Sequence, residues 1–308
     1  MNRSRFTSFA WFVLVYNVAV ILWGAYVRAT GSGAGCGGHW PLCNGDVLPR
    51  APAFETLIEY SHRIMSGFSL ILVVLLLYWA WRLFRRGDRV RKGALTAAFL
   101  ILLEALIGAG LVLFDLVGGN TSITRAVVGA LHLVNTFMLL GALTLTALWS
   151  SQRKTQKLQL RSPHVALLML TLLGVLVIGV SGAIAALGDT LFPTETLSAG
   201  IAMDLDPSTH FLVRLRLLHP VIAVAVGLYI VLFMRILQLR GSRMDLNTLG
   251  WIVSTLVLIQ WLAGVVNLLM LAPVWMQILH LLLADLLWIL LIIFTDASLH
   301  PVSTEAIT

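Results

Sequence analysis

The chain has 308 residues, of which 59% are hydrophobic and 11% charged, and its mean hydropathy is +0.92. A water-soluble domain of this size cannot bury so much apolar surface, so the composition excludes a soluble globular protein and predicts a polytopic membrane protein. The net charge of +7 is also found in nucleic-acid-binding proteins. Here, however, the basic residues lie in short segments between apolar stretches, which indicates membrane topology and no nucleic-acid partner.

Eight apolar segments of membrane-spanning length follow one another along the chain. We predict an all-α integral membrane protein whose eight transmembrane helices form two tandem pseudo-symmetric four-helix bundles; if one segment is misread, the count falls to seven. Residues 151–163 are polar and basic and separate an N-terminal half, 1–150, from a C-terminal half, 164–308. The predicted helices cover residues 9–29, 57–83, 94–114, 126–149, 164–187, 210–238, 247–271 and 274–296.

The basic residues predict the orientation of these helices. The first segment follows Arg3 and Arg5 and is long enough to span, and no small-residue cleavage site follows it, so we predict a retained helix. Other basic residues follow the second, fourth and sixth helices, which predicts cytoplasmic N- and C-termini and outer loops at 30–56, 115–125, 188–209 and 272–273. The absence of a transit peptide favours a prokaryotic plasma membrane. The basic residues in the inner loops are Arg85, Arg86, Arg89, Arg91, Lys92, Arg153, Lys154, Lys157, Arg161, Arg240 and Arg243.

Short motifs recur at corresponding places in the two halves. A glycine-alanine pair stands near the ends of helices one and five, and a polar residue followed four residues later by glycine stands in helices three and seven. A duplicated four-helix bundle explains these matches, with an axis along the membrane normal relating the halves. The motifs begin at Gly24 and Gly182, and run from Glu104 to Gly108 and from Gln260 to Gly264.

Four histidines, His62, His132, His219 and His280, lie in the second, fourth, sixth and eighth helices. Each is about 9–14 Å from the outer end of its helix at 1.5 Å per residue. Histidine is costly inside a membrane and is usually kept for a function, and histidines paired across a bundle are natural axial ligands for haem iron. We therefore predict two bis-histidine haem sites, although any one of these residues alone is equally consistent with an ordinary hydrogen-bonded histidine. The remaining histidines, which are interpreted as solvated, are His39, His164, His210 and His300.

The predicted depth of the histidines bears on function. A transmembrane electron carrier needs one haem near each face, whereas all four histidines are predicted near the outer face. This placement disfavours charge transfer across the membrane and favours two haems that act together.

The residues beside the histidines differ between the halves. Glu59 lies three residues before His62 and Arg216 three residues before His219, so each shares a helical face with its histidine. Glu59 is a candidate acid, base or electrostatic partner, or simply a helix-start carboxylate. Arginines near the outer helix ends suit haem propionates, and interfacial snorkelling is the alternative. These arginines are Arg28, Arg63, Arg125, Arg214 and Arg216.

Cys36 and Cys43 are the only cysteines of the chain, and both lie in the first predicted outer loop. A disulfide is the expected state in an oxidising compartment, with either a structural or a redox role. Zinc binding needs more ligands than this loop offers, although His39 lies between the two cysteines.

The residues of this loop and the start of the second helix resemble a known family. The run Gly31 to Gly45, GSGAGCGGHWPLCNG, followed by Glu59-Tyr-Ser-His62-Arg63, is similar to the haem A synthase family, and the resemblance covers essentially the whole chain. It implies an oxidoreductase that converts the C8 methyl group of haem O to a formyl group through a hydroxymethyl intermediate. The product, haem A, serves terminal oxidases.

The resemblance also implies roles for residues of this chain. The N-terminal half would bind the substrate haem O through His62 and His132, with Glu59 as a functionally important acidic residue of the catalytic site, and Cys36 and Cys43 would form a disulfide. The C-terminal half would hold a haem b cofactor through the other two histidines, with Arg216 beside it. Some members carry a second cysteine pair in the loop corresponding to 188–209, and this chain has none there.

The implied partners are a haem O synthase that supplies the substrate, an unidentified electron donor or acceptor, and membrane lipid. Two alternatives remain from the residues themselves: a non-enzymatic di-haem electron carrier and a protein that binds haem and passes it on.

Overall fold

The computed structural model describes residues 2–152, 164–239 and 244–299, and within them the chain is all-helical with no β-sheet. Eight spans in this part of the chain are long and apolar enough to cross a membrane, as predicted. The sixth span consists of two helices, and a further short helix precedes it. The helices are α1 Arg3–Ala29, α2 Phe54–Leu83, α3 Arg89–Leu113, α4 Ile123–Ser151, α5 His164–Leu191, α6 Leu197–Leu205, α7 Phe211–Leu215, α8 Leu218–Leu239, α9 Met244–Leu269 and α10 Val274–Leu299.

Several sequence predictions fall outside the described residues. They concern most of the 151–163 linker with its four basic residues, Arg240 and Arg243, the tail with His300, and the side chain of His164.

Several helices begin earlier than their apolar segments because polar residues cap them. The side chain of Asn2 accepts the N–H of Ser4 at 3.0 Å, so α1 begins at Arg3 instead of residue 9. Asp88 accepts the N–H of Val90 at 2.9 Å and starts α3 five residues before the predicted segment. A capping side chain satisfies an N–H group that has no partner within the helix, and hydropathy does not detect it.

The sixth span is broken, which corrects the continuous helix predicted at 210–238. The first helix ends at Leu215, with Arg216 as its C-cap, and the next begins at Leu218. Pro220 has no N–H to donate to the carbonyl of Arg216, four residues earlier, and this carbonyl instead accepts the N–H of His219 at 3.3 Å. The break places His219 at the start of α8. A second correction is α6, which lies within the predicted outer loop 188–209 and is capped by Thr196.

The outward faces of the helices carry large exposed apolar side chains. Phe99, Leu102 and Leu106 on α3 are each more than half exposed, and similar residues cover α8 and α9. A soluble monomer rarely exposes so continuous an apolar surface. The surface and the eight spans together identify a multi-pass membrane protein.

The two halves meet in a packed core where α4 contacts α10. The indole of Trp288 stacks on the ring of Phe137 with centroids 5.4 Å apart, and its Nε1–H donates to the carbonyl of Phe137 at 2.5 Å. Both side chains are almost fully buried. Gly141 lies directly below, where an added Cβ would already touch Trp288 and Ile292 at 3.5 Å. The aromatic pair is therefore a direct contact between α4 and α10.

We expect Trp288→Ala to destabilise the protein by roughly 3–5 kcal/mol, as large-to-small aromatic substitutions do in packed cores. Trp288→Phe keeps a ring against Phe137 but loses the N–H bond, at a cost of about 0.5–1.5 kcal/mol, and part of the indole volume, so its total loss should be smaller than that of Trp288→Ala. Thermal unfolding of the purified protein in detergent measures both values. Equal losses in the two variants would contradict the packing role.

Candidate functional site

A cavity of about 710 Å³ lies among the helices and is lined by residues of both halves. His62, His132, His219 and His280, the four histidines predicted as iron ligands, all line it. They project from α2, α4, α8 and α10, in the second or third turn of each membrane span. Glu59 also lines the cavity. The structure therefore gathers the predicted histidines into one connected space.

Each of the four histidine rings packs against a glycine of the preceding long helix. A Cβ added to Gly24 on α1 would lie 2.9 Å from Cε1 of His62, and one on Gly182 of α5 would lie 2.9 Å from Cε1 of His219. The corresponding distances are 3.7 Å from Gly108 to His132 and 3.3 Å from Gly264 to His280. These glycines belong to the motifs that recur in the sequence. Their recurrence thus has a steric reason, because a side chain at Gly24 or Gly182 would displace the histidine ring.

Polar groups contact three of the rings. The hydroxyl of Ser181 lies 3.1 Å from Nδ1 of His219. Oε1 of Glu104 lies 3.3 Å from Nδ1 of His132, within ion-pair distance but without hydrogen-bond geometry. The side-chain nitrogen of Gln260 lies 3.3 Å from Nε2 of His280.

The spacing of the His219–His280 pair fits the binding of haem iron. The ring centroids of His219 and His280 are 6.3 Å apart. Two metal–imidazole bonds of about 2 Å each account for most of this distance, and the ring radii account for the remainder. Nδ1 of His62 and of His280 is buried and has no hydrogen-bond partner among the described residues. Buried imidazoles that the protein leaves unsatisfied are expected where a bound group completes the site.

The loop from Cys36 to Cys43 is docked on the first turns of α2. The two cysteines form a disulfide bond, so neither is a thiolate available to zinc. The backbone N–H of Cys36 donates to Oε2 of Glu59 at 2.7 Å, and the other oxygen of Glu59 is paired with the Arg63 guanidinium. Nη1 of Arg63 also donates to the carbonyls of His39 and Leu42, each at 2.6 Å. The Glu59–Arg63 pair therefore fastens the loop to the helix that carries His62.

The docked loop also contributes to the cavity wall. Trp40 and Pro41, between the two cysteines, line the cavity. The hydroxyl of Thr56 donates to the carbonyl of Gly35 at 2.8 Å, and a Cβ on Gly35 would lie 2.6 Å from the backbone of Glu55. Glycine at this position permits the loop to lie directly on α2.

The arginines predicted near the outer ends of the helices divide into two groups. Arg28, Arg63 and Arg125 line the cavity. Arg214 and Arg216 are not among the lining residues. Arg214 donates to the carbonyl of Pro207 at 3.1 Å. The Arg216 guanidinium is paired with Asp204 at 2.7 Å and with Asp189 at 3.1 Å.

Arg216 and Arg28 both tie outer segments together. Because Asp189 is on α5 and Asp204 on α6, Arg216 holds the short helix α6 against the end of α5. Arg28 links α1 to the other half by donating to the carbonyl of Ala186 at 2.8 Å and to Oε1 of Gln277 at 3.0 Å.

His39 and His210, both interpreted as solvated, differ in the structure. His39 is exposed. His210 is half-buried, caps α7 by accepting the N–H of Leu212, and stacks on Phe192 with centroids 4.9 Å apart. The solvated interpretation was therefore wrong for His210, because the loop 188–209 folds back over it.

Three polar residues near the site were given no role from the sequence. Glu104 and Gln260 were noted only as part of a repeat, and their contact with histidines depends on how α3 and α9 are rotated. Asp285, five residues after His280, is fully buried, and its carboxylate has no hydrogen-bond partner among the described residues. An acidic residue within an apolar helix was the available signal for Asp285.

The fold and the cavity define a multi-pass membrane protein with an internal histidine-lined site. The chain belongs to the COX15-CtaA family of cytochrome oxidase assembly proteins, whose family model matches residues 7–292. The family resemblance inferred from the cysteine loop and the Glu59-x-x-His62-Arg63 motif is thereby confirmed.

Individual relatives match different lengths of the chain. Over 298 residues it is 49% identical to a protein named protoheme IX farnesyltransferase from Thermus thermophilus, an alignment that covers 96% of this chain and 49% of the relative. A region of 95 residues is 47% identical to heme A synthase from Alkalihalophilus pseudofirmus, covering 31% of this chain and 32% of that protein. The chain therefore spans about half the length of the Thermus relative.

Proposed function

We propose that the chain is a haem A synthase, an oxidoreductase that converts the C8 methyl group of haem O to a formyl group through a hydroxymethyl intermediate. The observation that carries the proposal is the gathering of His62, His132, His219 and His280 around one cavity. Membership of the cytochrome oxidase assembly family supports it. So does the name heme A synthase carried by relatives that match part of the chain.

The two histidine pairs are assigned different occupants. His62 and His132, in the half formed by residues 1–150, would ligate the iron of the substrate haem O. His219 and His280, in the half formed by 164–308, would hold haem b, which supplies a one-electron redox couple when bound. Glu59 and Glu104 place acidic groups beside the first pair. The halves, joined by the 151–163 linker, would form two pseudo-symmetric bundles, and the four glycine–histidine contacts support this arrangement.

Each oxidation stage removes two electrons and one proton from the substrate carbon, where a C–H bond is replaced by a C–O bond to water. The added water releases the second proton. The first stage gives the alcohol, and the second gives a hydrated aldehyde that loses water to become the formyl group. The electrons leave to a one-electron acceptor. In a bis-histidine site O₂ would have to displace His62 or His132 to reach the iron, so attack by water is the route that requires no ligand exchange.

Glu59 would act through its charge. Both of its oxygens are engaged, one by Arg63 and one by the N–H of Cys36, and the side chain is buried. A carboxylate fixed in this way stabilises positive charge that develops on the substrate carbon without reorganising. Arg216 would support the haem b site indirectly, by holding α6 through Asp204. Arg28 and Arg125 are the cavity arginines suited to haem propionates.

The proposed location is the plasma membrane, with both termini in the cytoplasm and the cysteine loop outside. The proposed supplier of haem O is a farnesyltransferase that works beside this protein. Two Thermus thermophilus relatives named protoheme IX farnesyltransferase support this partner, because 96% of the present chain aligns within proteins about twice its length.

We expect haem A and its hydroxymethyl precursor to appear in membranes that make haem O only when this chain is also present. Extraction of the haems and chromatography with mass detection measures both products. A His132→Ala variant, present in the membrane at the same abundance as the wild type, should not convert haem O to either product. If wild-type membranes yield only haem O and haem b while the purified protein carries low-spin haem, the non-enzymatic electron carrier replaces this proposal.

A further inference from the structure

Glu104 and Gln260 occupy corresponding places in the two halves and differ in chemistry. Each stands four residues before a glycine that faces a histidine ring, Gly108 on α3 and Gly264 on α9. Each also contacts the histidine of the next membrane span. One half therefore sets a carboxylate beside Nδ1 of its histidine, and the other half sets a neutral amide beside Nε2 of its histidine.

The carboxylate of Glu104 lies within ion-pair distance of the ring nitrogen that faces it, although the contact lacks hydrogen-bond geometry. Its Oε1 lies 3.3 Å from Nδ1 of His132 and 2.5 Å from the hydroxyl of Thr136, and its Oε2 accepts the amide N–H of Asn135 at 2.5 Å. These contacts fix the carboxylate between α3 and α4. A histidine that offers Nδ1–H to a carboxylate has Nε2 directed to a metal and is a stronger electron donor.

The amide of Gln260 places a neutral donor group beside the ring of His280. Its nitrogen lies 3.3 Å from Nε2 of His280 and donates to the carbonyl of His280 at 3.0 Å. An amide nitrogen only donates and carries no charge. Gln260 therefore does not increase the electron-donating strength of His280.

We propose that Glu104 is a positioning residue that holds His132 through Nδ1 and lowers the reduction potential of iron bound at the His62–His132 pair below that of iron at the His219–His280 pair. Electron donation from the ligand stabilises the oxidised iron, as does a nearby negative charge. The exchange of carboxylate for amide between the halves then sets the direction of electron flow, from the N-terminal to the C-terminal site. This inference rests on the proposed ligation of haem by the two pairs.

Potentiometric titration of the full-length protein loaded with haem b, used as a probe of either pair, tests the inference. His280→Ala leaves only the N-terminal pair intact, and His132→Ala leaves only the C-terminal pair. In the His280→Ala background we expect Glu104→Gln to raise the midpoint potential by at least about 59 mV. For a one-electron couple this shift equals a tenfold change in the equilibrium constant. In the His132→Ala background, Gln260→Glu should lower the midpoint potential by a similar amount. Glu55→Gln, which removes an exposed acid at the start of α2, should change neither value.

The outcomes separate this inference from the proposed function. If the N-terminal pair of the His280→Ala protein binds no haem, the proposed ligation and the inference both fail. If haem binds with a low-spin spectrum and neither Glu104→Gln nor Gln260→Glu moves its midpoint, the inference alone fails. If Glu104→Gln no longer binds haem, the midpoint potential of Gln260→Glu alone tests the inference. A wild-type midpoint potential in Glu104→Asp supports the positioning role.

Discussion

Gly182→Ala is expected to reduce haem binding at the His219–His280 pair by at least tenfold, equivalent to about 1.4 kcal/mol. The new Cβ would lie 2.9 Å from Cε1 and 3.3 Å from Nδ1 of His219, so the ring must move. The ring has little freedom, because Ser181 contacts its Nδ1 and the helix break at Arg216 fixes its backbone. The ratio of haem to purified protein and the low-spin absorbance spectrum measure the loss.

A series of glycine substitutions provides the controls. Gly129 lies on α4 and lines the cavity, but an added Cβ meets no atom within 4 Å. Gly129→Ala should therefore retain haem, and both variants gain helix propensity of about 0.5–1 kcal/mol. Gly24→Ala should displace His62 as severely as Gly182→Ala displaces His219, and Gly108→Ala should have a smaller effect. Equal haem loss from Gly129→Ala and Gly182→Ala would show that crowding of the ring is not the cause.

The fold was largely predictable because hydropathy reports membrane spans directly. All eight predicted spans are present in the described residues. The ends of the helices were less predictable, since Asn2 and Asp88 extend α1 and α3 through polar first turns that hydropathy does not register. The break before His219 had a visible signal in Pro220. Its position at Arg216 follows from the hydrogen bond that proline removes from the carbonyl four residues earlier.

The candidate site was predictable as a set of residues and not as a set of contacts. The histidines are conspicuous because they interrupt apolar helices, and Glu59 because it shares a face with His62. The pairing of Arg216 with Asp204 arises from the folding of the segment 188–209, which has no periodicity that places those carboxylates. The contact between Glu104 and His132 depends on the rotation of α3 against α4, and the sequence repeat marks the position without giving the partner.

Glu59→Ala is expected to release the cysteine loop from α2 and to abolish most conversion of haem O. The substitution leaves the Arg63 side chain, which is 12% exposed, without its buried carboxylate partner, and leaves the N–H of Cys36 without an acceptor. Removing one partner of a buried ion pair costs about 3–5 kcal/mol. The rate at which a water-soluble reductant opens the Cys36–Cys43 disulfide reports loop release, and haem extraction reports turnover.

Three further variants separate the anchoring role of Glu59 from its charge. Glu59→Gln keeps an oxygen that can accept the N–H of Cys36 but loses the ion pair, so disulfide reduction should accelerate less than in Glu59→Ala while turnover falls similarly. Glu59→Ala combined with Arg63→Ala should accelerate disulfide reduction by less than the product of the two single effects, because the two residues act as one unit. Glu55→Ala, on the exposed face of the same helix, should resemble the wild type. If Glu59→Ala shows full turnover and an unchanged rate of disulfide reduction, Glu59 has neither role. If it shows full turnover and faster disulfide reduction, Glu59 anchors the loop but has no electrostatic role in the reaction.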